Sequence, residues 1–260
     1  MSNTRGIELP PEERCKCCGG PARRFGEVDF SKCCEDHRGK VFPDAGIPVP
    51  YCRCEDCGFL FTTAFDRFKP VDFLKTIYND QYVLADPEMT GARARRMAEA
   101  VICGFAHCRQ KIRVLDYGGG TGVLALCLRK CGFAQVETYD PFVARFAWRP
   151  SGVFDLVLSF EVVEHSISPV DAFRDMAGFL ADPGIVMFST LLVPADIQSV
   201  GTDWWYLAPR NGHVSLHTQK SLQAAAAQIG FNYAKLDEST HYLTKTCPDW
   251  ARNLAALKKS

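Results

Sequence analysis

The stretch VLDYGGGTG, residues 114–122, limits the possible folds more than any other part of the chain. An apolar run suited to a strand meets a turn with four glycines in five positions, and TGVLALCLRKCGF then continues with helical spacing. Glycine has no Cβ and tolerates positive φ, so such a turn lets backbone approach a ligand closely. Downstream, QVETYD and FDLVLSF read as strands, PVDAFRDMAGFLA as a helix, GIVMFST as a strand and SLQAAAAQIGF as a helix. Strands alternating with helices predict an α/β fold, a parallel sheet covered by helices on both faces.

The texture differs before residue 112. Up to about residue 65 the chain is punctuated by Gly, Pro and Cys, and VDFLKTIY and GARARRMAEAVICGF then show helical spacing of apolar residues. The expected organisation is a small lobe over 1–65, a helical joint over 66–111 and the α/β domain over 112–260. Lysine plus arginine equal aspartate plus glutamate at 30 each, so no basic excess points to nucleic acid. The apolar runs are too short to span a bilayer. MSNTRGIELPPEER lacks the apolar core of a signal peptide, so a cytoplasmic location is expected.

Which ligand fits the glycine turn follows from its neighbours. A P-loop needs lysine and a hydroxyl residue after its last glycine, whereas Val123 and Leu124 follow Gly122. A dinucleotide fingerprint is met in its permissive form by Gly120, Gly122 and Ala125, with Asp140 where the ribose-binding acid belongs. Asp116, at the end of the strand, separates the two remaining readings. A carboxylate there repels a pyrophosphate and suits a cationic group. S-adenosylmethionine carries an ammonium, a sulfonium and a ribose with free hydroxyls, so Asp116 and Asp140 bracket such a ligand.

VLDYGGGTG, then YDPF, then FDLVLSFEVVEH resemble, in order, three motifs of class I S-adenosylmethionine-dependent methyltransferases, over roughly residues 110–235. The resemblance implies a Rossmann-like seven-stranded sheet with the methyl donor at the carboxyl ends of its strands. It further implies donor contacts from Asp116, Gly118, Gly119, Gly120, Gly122, Asp140, Pro141, Phe142, Phe160 and Glu161. In one respect the chain departs from the family: VARFAWRPSGVF leaves little room for the usual third strand, with Phe142 the expected stacking substitute for adenine.

Eight of the thirteen cysteines fall between residues 15 and 57. In a reducing compartment such clusters are more often metal ligands than disulfides. Cys15-x-x-Cys18-Gly and Cys54-x-x-Cys57-Gly have the spacing of two zinc knuckles, which together complete a tetrahedral structural site. Cys17, Cys33, Cys34 and Cys52 are expected as free thiols, since the adjacent pair in CCEDH is poorly placed to chelate one ion with His37. Cys103, Cys108, Cys127, Cys131 and Cys247 are expected as small buried hydrophobes. The knuckle followed by CGFLFTTAFD and IYNDQY resembles the zinc-binding N-terminal region of bacterial deoxysugar C-methyltransferases, without their C-terminal domain.

Methyl transfer to oxygen or carbon needs a base near the acceptor. Candidates are His165, which ends FEVVEH just past a strand, and His213 and His217 in WWYLAPRNGHVSLHT, an aromatic-rich connection suited to a substrate wall. In the sugar C-methyltransferases the matching segment resembles tyrosine-histidine-glutamate-histidine-x-serine, its second histidine a proposed base. His213 and Ser215 match that pattern, while Gly212 stands where the glutamate would be. Tyr206 and Glu164 are further candidates, and Arg210 suits an anionic group. The expected function is methyl transfer to a small molecule, a sugar or natural-product intermediate, with no nucleic acid or membrane partner. An NAD-dependent oxidoreductase, or a non-catalytic zinc module on a degenerate fold, are the rival readings.

Overall fold

The computed structural model describes residues 13–255. Most of the N-terminal stretch read for a signal segment (residues 1–12) lies outside the described residues. The strands are β1 (Glu13–Arg14), β2 (Pro21–Asp29), β3 (Pro48–Cys54), β4 (Leu60–Phe61), β5 (Arg113–Tyr117) and β6 (Gln135–Tyr139). They continue with β7 (Phe154–Phe160), β8 (Leu180–Ser189), β9 (Ser215–Leu216), β10 (Asn232–Lys235) and β11 (Thr240–Thr244). The helices are α1 (Pro70–Thr76), α2 (Tyr82–Ala85), α3 (Ala92–Phe105), α4 (Val123–Lys130), α5 (Pro169–Ala177), α6 (Ile197–Val200) and α7 (Gln219–Gln228).

The chain forms two compact units. The first takes in the described residues up to Pro87 together with Glu164–Pro169 and Leu191–Ala224; the second comprises Glu88–Val163, Val170–Thr190 and the described residues from Ala225. These units do not follow the division expected at residues 65 and 111. The reason is long-range pairing: β4 hydrogen-bonds to β9, with Leu60 opposite Leu216. Two distant segments thereby join the lobe that carries the cysteines.

The first unit holds a five-stranded sheet in the order β1-β2-β3-β4-β9, antiparallel throughout. Its core is aromatic, with Tyr51, Phe65, Phe73, Tyr82, Trp204 and Tyr206 packed around Leu60, Ile77 and Leu207. Tyr51, Leu60, Ile77 and Leu207 have no exposed surface. Burial of side chains this size stabilises by about 1.5–3 kcal/mol each.

The second unit holds a six-stranded sheet in the order β10-β11-β8-β7-β5-β6. Strands β8, β7, β5 and β6 run parallel, and the β10–β11 hairpin adds antiparallel to β8. Val114, Leu115, Leu156, Val157 and Leu158 are completely buried, as expected of central parallel strands covered on both faces. Helix α3 turns Ala98, Val101 and Phe105 into this core, a spacing that keeps them on one helical face.

Six strands replace the seven that the resemblance implied. Between β6 and β7 the chain forms only a short 3-10 turn, Ala144–Phe146, so β6 is the edge of the sheet. A further parallel strand needs a crossover of a dozen or more residues plus its own length, which residues 140–153 cannot supply. The scattered cysteines also depart from expectation: Cys108 is buried and Cys127 partly so, but Cys103, Cys131 and Cys247 are exposed.

Candidate functional site

Strand order places a topological switch beside β5. The chain passes from β5 to β6 on one side, then crosses to β7 on the other. Gly118, Asp140 and Glu161 immediately follow the carboxyl ends of these three neighbouring parallel strands. Open α/β sheets bind ligands at such a point.

Asp116 lies in β5 directly opposite Thr138 of β6. It is 4% exposed, and its Oδ2 has no hydrogen-bond partner; neither has Oγ1 of Thr138. A Cβ on Gly119 would sit 2.4 Å from Asp116 Oδ2 and 2.7 Å from the Thr138 methyl group, so the backbone lies directly against the carboxylate. Burial pushes the Asp116 carboxyl up to about 7, opposed by the backbone N–H of Ala125 in the first turn of α4 and reinforced by the Asp140 charge. Two buried polar atoms without partners beside a glycine turn fit a polar, cationic ligand.

Asp140, 7% exposed, accepts hydrogen bonds from the Gly120 N–H at 2.9 Å and the Phe142 N–H at 2.8 Å. It therefore ties the glycine turn to the end of β6. Gly120 adopts φ 52°, and a Cβ there would meet nothing within 4 Å, which leaves open space where the turn faces outward. Phe142 is 38% exposed. Glu161 is the one non-glycine residue among those described with a positive φ, at 56°. Its N–H donates to Ser189 Oγ at 2.9 Å, and Ser189 Oγ donates back to Glu161 Oε1 at 2.8 Å. Strain of this kind costs on the order of 1–3 kcal/mol and clusters at functional sites. The expected donor residues are thus all in the second unit.

Replacing Gly119 with alanine should collapse this arrangement, since the new methyl group would drive into the Asp116 carboxylate and the Thr138 methyl group. Loss of S-adenosylmethionine binding together with a lower melting temperature is the expected result. A variant that melts and binds like the parent would mean that the turn is laxer than its contacts imply.

In the first unit the two cysteine turns have matching geometry. Gly19 N–H donates to Cys15 O at 2.9 Å and Gly58 N–H to Cys54 O at 3.1 Å, with φ 76° and 74° at the two glycines. The N–H of Cys17 points to Cys15 Sγ and that of Cys57 to Cys54 Sγ, each at 3.4 Å. Cys15 and Cys57 sulfurs are 3.5 Å apart, as are those of Cys18 and Cys54, and all four lie within 4.8 Å of one another. That is too long for a disulfide, near 2.05 Å. A tetrahedral ion with bonds of about 2.3 Å would hold sulfurs about 3.8 Å apart. Burial pushes the Cys18 thiol up to about 11, and contact with Cys15, then burial, raises Cys57. A divalent cation reverses that preference by stabilising thiolates.

The other lobe cysteines do not gather. Cys33 Sγ donates to Asp36 Oδ1 at 3.3 Å, whereas Cys34 Sγ lies 3.8 Å from His213 Nδ1. His37 Nδ1 donates to the Cys34 carbonyl at 2.6 Å. Cys17 and Cys52 are buried without joining the four.

The candidate bases divide into two groups. His217 is completely buried against Phe59 and bonds Ser221 through Nδ1 at 3.3 Å, a structural position. His165 and His213 instead have their rings 5.1 Å apart, and Tyr206 has its ring 4.2 Å from His213. Nδ1 of His213 donates to the Tyr206 carbonyl at 2.8 Å, and Nδ1 of His165 to the Gly212 carbonyl at 3.1 Å. A carbonyl can only accept, so each neutral ring carries its lone pair on Nε2. Glu164, completely buried, accepts from the Tyr206 hydroxyl at 2.6 Å.

Sequence reasoning underrated Glu164. Gly212, where the family has glutamate, adopts φ 87°, and a Cβ there would sit 3.1 Å from His165 Nδ1 and 3.3 Å from Ile77. Glu164 reaches the same group of side chains as His165 and His213 from another segment of the unit. Arg210 is also buried, and donates to Ile77 O at 2.8 Å and Asn79 Oδ1 at 2.9 Å, bonds that cap the end of α1.

A family model described as a methyltransferase domain matches residues 89–236. No curated protein matches the sequence. Among solved structures, TnmH is similar at 18% identity, covering 63% of this chain and 60% of that one, with a TM-score of 0.43. The chain therefore spans about 60% of the length of that protein. Magnesium protoporphyrin IX methyltransferase from Synechocystis PCC 6803, solved with bound SAH, is 16% identical over 69% of this chain and 94% of that one, with a TM-score of 0.44. The O-methyltransferase NcsB1 from neocarzinostatin biosynthesis, solved with S-adenosyl-L-homocysteine and 1,4-dihydroxy-2-naphthoic acid, is 15% identical. It covers 64% of this chain and 60% of that one, with a TM-score of 0.39.

Proposed function

The chain belongs to the methyltransferase domain family, and on that footing we propose that it moves a methyl group from S-adenosylmethionine to a small molecule, at oxygen or carbon. The observation that carries the donor assignment is Asp116 Oδ2, buried and without a partner against the glycine turn. Such a carboxylate favours a ligand with an ammonium and a sulfonium over a dinucleotide's pyrophosphate. Bound S-adenosylmethionine supplies an electrophilic methyl group on sulfur. The chain's own residues hold it: Asp116 through charge, Asp140 through ribose hydroxyls, Phe142 and Pro141 at the adenosine end, and Gly118 to Gly122, Phe160 and Glu161 around the rest.

Acceptor deprotonation is assigned to the first unit's group of His213, His165 and Tyr206, with Glu164 as their acid. The balanced charge favours a small acceptor, a sugar or natural-product intermediate, over nucleic acid. No helix among the described residues is long and apolar enough to cross a membrane. The four-cysteine set is assigned to zinc, as a structural ion: all four ligands are thiols, so no position stays open for a reacting water.

Calorimetric titration with S-adenosylmethionine, S-adenosylhomocysteine and NAD tests the reading. Micromolar binding of the first two supports it; binding of NAD alone would establish an oxidoreductase. No binding of any of the three would establish the degenerate fold.

A pH profile probes the same carboxylate. The folded value of Asp116, about 7, lies above its unfolded value of 3.8. The stability it contributes is therefore complete below about 4 and is lost as pH rises through about 7. Donor binding needs the charged form, so affinity should rise by up to tenfold per unit between pH 5 and 7 and level off above. Melting of the unliganded protein should show the opposite trend in that window, and an Asp116→Asn variant should flatten both. Parallel profiles in parent and variant would remove Asp116 from the donor site.

A further inference from the structure

Beyond the four cysteines, one other group of metal-ligating side chains comes together among the described residues: Glu164, His165 and His213, with one ligand atom from each within 4.8 Å of the others. We propose that these three residues bind a divalent first-row transition ion, chemically distinct from the four-thiol site. Two imidazoles and a carboxylate are the donor set that such ions favour.

Three features of the chain support an ion at this place. Both imidazoles are held through Nδ1 by backbone carbonyls, Gly212 O at 3.1 Å and Tyr206 O at 2.8 Å, which presents Nε2 as the ligating nitrogen. Metal-bound histidines nearly always show this outer contact, because it fixes the tautomer and the ring plane. Glu164 is oriented in the same way by the Tyr206 hydroxyl, which donates to its Oε1 at 2.6 Å. Finally, Gly212 protects the outer contact of His165, since a side chain there would sit 3.1 Å from the His165 Nδ1 that its carbonyl holds. A ligand sphere of bonds near 2.1 Å sets donor atoms about 3.0–4.2 Å apart, a contraction that small side-chain rotations supply.

Burial argues for the same conclusion. Glu164 has no exposed surface and His213 only 4%, while His165 is half-buried. Two of the three side chains are thus held out of water, where a paired or metal-bound state is what keeps a carboxylate buried. With both imidazole lone pairs on the ion, deprotonation would pass from the histidines to the ion itself. The ion would acidify an acceptor hydroxyl placed against it, the proton leaving to solvent. That use of the ion rests on the function proposed above, whereas its binding does not.

Cobalt substitution of the full-length protein tests the proposal. Cobalt among four thiolates shows intense thiolate-to-metal charge transfer, and cobalt among imidazoles and a carboxylate does not. The expected result is a second cobalt equivalent per chain that adds no charge-transfer band. Glu164→Gln and His165→Ala should each abolish that second equivalent while the thiolate spectrum, which also reports on folding, stays intact. Tyr206→Phe should weaken it by about 10–100-fold. A titration that saturates at one thiolate-coloured equivalent in the parent would overturn the proposal, as would a second equivalent unaffected by Glu164→Gln and His165→Ala. S-adenosylmethionine binding, measured alongside, separates the two assignments. A second ion in a protein that ignores the donor upholds the metal site and removes the methyltransferase reading, and donor binding without a second ion does the reverse.

Discussion

Exchange of Cys54 for alanine is expected to release zinc and unfold the five-stranded sheet of the first unit. Cys54 ends β3, and its sulfur sits 3.5 Å from that of Cys18. With one thiolate gone, the remaining three are left crowded and buried in part without a full tetrahedral shell. Structural zinc contributes on the order of 10 kcal/mol in small domains, as much as the whole stability of most folded proteins, about 5–15 kcal/mol. No repacking of β3 and β4 offsets a loss of that size. Metal content and thermal unfolding, followed with and without a strong chelator, check this. The parent should lose its first-unit transition in chelator, and Cys54→Ala should lack it from the outset. A Cys54→Ala protein with full zinc and an unchanged melting profile would remove the metal from the account. Cys52→Ala is the matched control: it is buried one turn of the strand pleat away, outside the four, and should lower the melting temperature only modestly.

Asp140→Ala should abolish measurable donor binding, a loss of at least about 100-fold. Two separate contributions disappear at once. The Gly120 and Phe142 N–H groups lose their acceptor, and a part-buried donor left unsatisfied costs about 1–3 kcal/mol. The charged acceptor assigned to the ribose hydroxyls goes with it, another 1.5–3 kcal/mol or so. Asp140→Asn distinguishes the two, since an amide oxygen still accepts one backbone bond without the charge. The expected order of donor affinity is parent, then Asp140→Asn, then Asp140→Ala. Equal affinity across the three, read by calorimetry, would mean that the turn holds its shape without Asp140 and that the donor does not touch it.

Much of the second unit was legible from residue patterns. Apolar runs marked β5, β7 and β8, because strands buried on both faces have no alternative to continuous apolar sequence. The edge strand β6, QVETY, is half exposed and mixes polar residues in. The β10–β11 hairpin went unread: NYAK and THYLT mix polar and aromatic residues, as half-exposed strands at the far side of a sheet do. The knuckles were legible because spacing alone fixes their geometry. What spacing cannot reveal is partnership across long separations. The two-residue pairing of β4 with β9 carries no local signal, yet it redraws the boundary of the first unit. Glu164 is the same case at the level of the site. It was named in sequence only as one further candidate, and its hydrogen bond to Tyr206, forty-two residues later, is what local pattern could not show.

The interleaved make-up of the first unit has a consequence for how the chain is synthesised. All four knuckle cysteines have left the ribosome once residue 57 is out, whereas Ser215–Leu216, the strand that finishes the sheet, comes more than 150 residues later. At translation rates of about 5–20 residues per second, that interval lasts on the order of ten seconds or more. Throughout it, β4 is a nascent edge, and the aromatic residues that later meet Trp204 and Tyr206 have nothing to cover them. Early capture of zinc would then act as a placeholder, keeping β1 to β4 in register while the rest of the polypeptide is still being made.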